Sequence, residues 1–182
     1  VTMPLAIHGV VVRQDGTVVN VSIGEAPDEP VFVITDLLPH LGKDQAKKTM
    51  AEGIPGENLN ILVGSIPVAD KEAKAAVKEN VLKYLNKAYG MAEEDFVSAE
   101  LEIVPAGPGR ELGFDCSMML GYGQDDRVCA YAGLRALIDL DETPEYTSIV
   151  ILCDKEEIGS VGATGMESTF FENTIAELLV RA

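Results

Sequence analysis

Two pairs of adjacent carboxylates are the residues whose types and spacing could do chemistry. Asp125-Asp126 stands in "GYGQDDRVCAYAGLRAL" and Glu156-Glu157 in "VILCDKEEIGSVGATG". Such a set suits a divalent metal site: one carboxylate bridges two cations, another binds one of them, and a third takes a proton from a bound water. Each pair also has a plainer reading. Helix starts attract aspartate through capping and the helix dipole, and "DKEE" alone is a solvated charged turn. Gly159, Gly162 and Gly165 after the second pair permit sharp bends and close backbone approach, to a ligand or in an ordinary turn. Zinc usually also takes histidine, but His8 and His40 both lie in the other half of the chain. Residue types alone therefore give an incomplete metal site.

The elements that must position these groups change style near residue 98. "LAIHGVVV" over 5–12 reads as a strand, Asp15-Gly16 signals a two-residue hairpin turn, and the return strand puts Thr17, Val19, Val21 and Ile23 on one face. Short strands follow at 31–34 and 59–63. A helix over 71–89, with Asp70 as N-cap and Gly90 after its last turn, closes this half. "AELEIVPAG" alternates as a half-exposed strand. A helix over 125–140, an apolar strand over 149–153 and a helix over 172–181 follow. The alternation of strand and helix predicts an α/β layer with parallel strands, whose carboxyl edge would present Asp154, Glu156 and Glu157.

Composition narrows the partners. The chain has 182 residues, 47% of them hydrophobic, enough for one generous domain or two small ones. A formal charge of −16 argues against nucleic acid or an anionic membrane as partner. No apolar run is long enough for a membrane span, and the first residues lack the pattern of a signal peptide, which points to the cytoplasm. Cys116, Cys129 and Cys153 are unevenly spaced among apolar residues and read as buried thiols. Tyr131, Met118 and Met119 read as core. The chain begins without methionine inside a strand-like pattern and stops directly after a helix, as a piece of something longer would.

"GQDDRVCAYAGLRALID" and "CDKEEIGSVGATGMESTFFENTIAEL", together with "MPLAIHGVVV", "GENLNILVGSIP" and "EEDFVSAELEIVPAG", closely resemble the aspartyl aminopeptidase family of dinuclear zinc exopeptidases, above all its bacterial branch. The resemblance covers essentially the whole chain and implies the middle of a much longer enzyme. The fold class it implies is α/β: part of a zinc-exopeptidase-type α/β catalytic domain over 98–182, joined to a β-rich accessory (dimerisation) domain over 1–97. It further implies that Asp125 bridges two zinc ions across a cis peptide to Asp126, that Glu157 binds one zinc and that Glu156 is the general base. Asp154 and Lys155 match no ligand position. His8, in the "IH" motif of the accessory domain, would reach a neighbouring subunit's active site and hydrogen-bond the substrate. Peptides cut at the N-terminus and a homo-oligomer built through the accessory domain are the implied partners.

Gln124 departs from the pattern, since close bacterial relatives often carry histidine there. The family's remaining ligands, a histidine upstream and an aspartate and a histidine downstream, have no match, so the chain alone is expected to be inactive. The contrasting expectation is a non-catalytic interaction module of the same fold, in which the acidic pairs are capping and turn residues.

Overall fold

The computed structural model describes residues 3–70 and 72–181. Packing divides the chain into two compact units, Val1–Tyr122 and Gly123–Ala182. No helix among the described residues is long and apolar enough to cross a membrane.

The first unit is built on a three-stranded antiparallel sheet, with β1 (Leu5–Val12) between β2 (Val18–Ile23) and β3 (Ala99–Pro105). Register follows from period-two patterning. Ile7, Gly9 and Val11 pair with Ile23, Val21 and Val19 on one side and with Ile103, Leu101 and Ala99 on the other, so the apolar sets share a face. Val11, Val21 and Met91 form its buried centre, and Ile7, Val19, Ile23, Tyr89, Ala99 and Leu101 pack around them. The opposite face carries His8 and Val10 between Ser22 and Asn20 of β2 and Glu102 and Glu100 of β3. The alternation seen in the return strand is thus realised, with Val19, Val21 and Ile23 turned inward.

The hairpin differs in detail from its sequence signature. Arg13 N–H donates to Thr17 O at 2.9 Å, and Gly16 N–H donates to Arg13 O at 2.9 Å. The loop therefore has three residues rather than two, a reverse turn closed by Gly16 at φ 83°. Asp15 does not serve as a central turn residue alone. Its Oδ1 accepts the Thr17 N–H at 2.9 Å and locks the wider loop. Asp95, buried in the 3₁₀ turn Glu93–Ser98, accepts the N–H groups of Gln14 at 3.2 Å and Ala92 at 2.8 Å, so one carboxylate ties that turn to the hairpin.

The apolar runs at 31–34 and 59–63 make only single bridges, Leu5 to Phe32 and Ile34 to Ile61, in place of full strands. Helix α1 spans Ala76–Tyr89 and starts later than the sequence suggests. The reason is local: Asp70 Oδ1 accepts the Glu72 N–H at 2.9 Å and its carbonyl accepts Ala73 N–H at 3.4 Å, closing a separate turn before the helix. Lys71, where the helix is expected to begin, lies outside the described residues. A short hairpin, β4 (Arg110–Leu112) and β5 (Met118–Leu120), completes the unit. β3, at which the sequence places the start of a second domain, belongs by its ladder with β1 to this first unit.

The second unit holds α2 (Gln124–Ile138) and α3 (Phe170–Arg181), each within two residues of its expected bounds. Residues 149–153 carry no ladder, and no parallel strand pair occurs among the described residues. A strand exists only by pairing, and none of the described residues of this unit pairs with that segment. The expected core readings also need correction. Tyr131, Met118 and Met119 are 67%, 57% and 65% exposed, and all three cysteines are free but exposed rather than buried.

Candidate metal centre

The Glu156-Glu157 pair sits on a tightly tied turn. Lys155 takes the left-handed conformation at φ 60°, and Glu156–Ile158 form one 3₁₀ turn. Lys155 O accepts both Ser160 N–H at 2.8 Å and Ile158 N–H at 3.3 Å, and Gly159 N–H donates to Glu156 O at 2.9 Å. Thr164 Oγ1 donates to Asp154 Oδ2 at 2.7 Å, closing the loop from behind. Asp154 is therefore a clamp for the turn. Gly165 lies against the same turn, where a Cβ would come within 2.1 Å of Ser160 O.

At the start of α2 the Asp125-Asp126 pair is exposed, with Gly123 preceding the helix. Asp126, Glu156 and Glu157 each offer one carboxylate oxygen, and these oxygens lie within 4.8 Å of one another. Asp125, the residue that the motif makes the bridging ligand, is not in this group. Successive helical residues point about 100° apart, so only one aspartate of the pair can face the glutamates. The peptide between them was expected to be cis, and among the described residues none is. A cis bond before a non-proline residue costs about 3 kcal/mol and needs enforcing surroundings, whereas this helix start faces solvent.

Zinc to carboxylate distances of about 2.0–2.2 Å bring two oxygens on one ion to within roughly 4.4 Å. The three oxygens approach that spacing, so the donors fit a cation in chemistry and nearly in geometry. They supply no histidine, and they fall short of a full two-ion ligand set.

His8 lies in the first unit, on the polar face of the sheet, and its Nε2 is 2.8 Å from Glu25 Oε1. The Glu25 carboxyl is held below its ordinary value, first by this hydrogen bond and then by the N–H of Gly107. Two participants escape a reading of the sequence: Asp126 as the member of its pair that faces the glutamates, and Glu25 beside His8. The first depends on the rotation at which α2 begins, which residue spacing does not set. The second joins residues 17 apart through a loop and has no local signature.

The sequence model described as aminopeptidase I zinc metalloprotease (M18) matches residues 1–182. The chain belongs to the M18 family of zinc metalloproteases. It is 57% identical over 179 residues to a probable M18 family aminopeptidase 1 of Clostridium acetobutylicum, a match covering 98% of this chain and 38% of that protein. The crystal structure of an M18-family aminopeptidase from Thermotoga maritima superposes with a TM-score of 0.82 at 49% identity, covering 100% of this chain and 39% of that one. Aminopeptidase I from Clostridium acetobutylicum gives 0.81 at 57% identity, covering 98% and 39%. The chain thus spans well under half the length of these relatives.

Proposed function

We propose that this chain works as part of a longer zinc metallo-aminopeptidase that hydrolyses single residues from peptide N-termini. The observation that carries the reading is the grouping of Asp126, Glu156 and Glu157, with one carboxylate oxygen of each within 4.8 Å of the others, in a chain matched along its whole length by a zinc metalloprotease family. Zinc, two ions in the complete enzyme, would be held by Glu157 and Asp125 and would supply a water of near-neutral pKa and polarisation of the scissile carbonyl. Glu156 accepts the water's proton and returns it to the leaving amine. Glu157 holds metal and so is a poor base, which is why a second carboxylate stands beside it. Asp125 is the bridging ligand by the motif.

The sheet-bearing first unit is the accessory part through which a cytoplasmic homo-oligomer assembles. From it His8 reaches a neighbouring subunit's substrate, where an N–H donor stabilises the developing oxyanion.

The deciding experiment compares the 182-residue chain with the complete polypeptide, each supplied with zinc, on aminoacyl p-nitroanilides. The complete enzyme is expected to release the chromophore, and the chain to be silent for want of the other ligands. Turnover by the chain, or none by the complete enzyme, overturns the reading, and the latter favours a non-catalytic module. Asp125→Asn and Asp126→Asn in the complete enzyme then assign the bridge. Asp125→Asn is expected to lose bound zinc by elemental analysis and Asp126→Asn to keep it; the reverse result would give the bridge to Asp126.

A further inference from the structure

Around His8 the structure builds more than an exposed ion pair. Glu25 Oε1 takes His8 Nε2 at 2.8 Å, while its Oε2 accepts the N–H of Gly107 at 3.2 Å. Both oxygens are thus engaged, one by central strand β1 and the other by the loop after β3, across separations of 17 and 82 residues. The loop that carries Glu25 is itself fixed: Glu29 Oε2 accepts the N–H groups of Gly24, Glu25 and Ala26, each at 3.0 Å. A carboxylate gripping three amides sets the backbone at Glu25, and the Gly107 N–H sets its side chain.

We propose that Glu25 is the positioning residue for His8: it fixes the imidazole plane and accepts the Nε2 proton, so that Nδ1 faces substrate and donates to it with the ring in its imidazolium form. This rests on the reading that His8 engages substrate. Among the described residues the His8 ring has its hydrogen bond at Nε2, and Nδ1 is the ring nitrogen left to face a substrate. Magnitudes separate this role from a structural one. The pair is more than a third exposed on both sides, at 36% and 39%, and exposed pairs add little to stability. Among other exposed pairs, Lys47 with Asp44 and Arg181 with Glu177 are local contacts within one turn, and Lys78 with Glu93 joins α1 to the following 3₁₀ turn. The His8 pair instead draws on three separate segments, an arrangement that fixes direction more than it adds stability. For histidines that bind metal, loss of such an orienting partner costs about 10–100-fold in affinity or activity, and the same order is expected here.

The test uses the complete enzyme and compares Glu25→Ala, His8→Ala and the double variant in steady-state kinetics. Glu25→Ala is expected to lower kcat about 10-fold or more, with KM held within about twofold, because an interaction made in the transition state is lost. Its melting temperature should move by less than about 4 °C. In the His8→Ala background the same change should cost nothing further, and millimolar acetate should restore part of kcat to Glu25→Ala but not to the double variant. Multiplying losses, a large fall in melting temperature alongside lost activity, or full activity in Glu25→Ala while His8→Ala is impaired would overturn the role of Glu25. Wild-type kcat in His8→Ala would instead remove the reading of His8 on which it rests.

Discussion

Glu156→Gln in the complete aminopeptidase is expected to lower kcat by about 10²–10⁴-fold while leaving bound zinc and KM close to wild type. The amide keeps the size and one acceptor of the carboxylate but has no usable basicity, so water activation fails and substrate binding does not. Glu157→Gln is expected to behave differently. If Glu157 is the proposed zinc ligand, its loss should lower zinc content together with activity, and added zinc should recover some of both. The adjacent glutamates share one 3₁₀ turn and converge with Asp126, so a general disturbance of the site would affect both variants alike. Elemental analysis of the purified variants beside steady-state kinetics separates the two roles. Equal zinc loss in both would make Glu156 a ligand, and equal retention in both would leave Glu157 without its assigned one.

A change that touches no acidic residue should be nearly as damaging. In Gly165→Ala the new methyl would lie 2.1 Å from Ser160 O, 2.4 Å from Ser160 C and 2.5 Å from Val161 O. Those are backbone atoms, and they cannot swing aside as a side chain would. The segment that carries Glu156 and Glu157 must shift instead, and a misplacement of about 1 Å can cost about 10²-fold. The expected result is a fall in kcat/KM of about that size, with a loss of roughly 1–3 kcal/mol in stability from the overpacked contact. Gly56→Ala is the control, because open space surrounds its Cβ position and neither figure should move. Kinetics and thermal melting of both variants give the comparison; native kinetics in Gly165→Ala would show that the turn has room to spare.

What the sequence made legible, and what it did not, divides along physical lines. β1 could be read from its run of apolar residues, and the inward face of β2 from strict alternation, because a two-residue period survives in any sheet. Helices α2 and α3 were legible from helical spacing. The pairing of β3 with β1 was not: residues 99–105 alternate as any strand does, and alternation says nothing of which strand lies alongside. Residues 149–153 were read as a strand from apolar content, which fixes a preference for burial but supplies no ladder. The same preference put Tyr131 and the cysteines inside, where this structure leaves them exposed. At the site, the Glu156-Glu157 pair was visible by type and neighbourhood. Which aspartate would turn toward it was not, since that depends on the exact rotation at which α2 begins. Glu29, whose three backbone hydrogen bonds fix the loop carrying Glu25, announced nothing, because its partners are amides and any sequence has those.

The central place of β1 in its sheet has a consequence for how the protein breathes. Parting this strand from its neighbours means breaking two ladders together, whereas the turn at Glu156 is held by a handful of bonds to exposed backbone. Local opening costs the most where ladders and buried contacts coincide, and the least at exposed loops. His8 therefore rides on a segment that opens only when the whole sheet does, and the adjacent glutamates on one that can loosen by itself. One chemical group is anchored by two ladders at once, and the pair that would grip an ion is held in place by the bonds of its own turn.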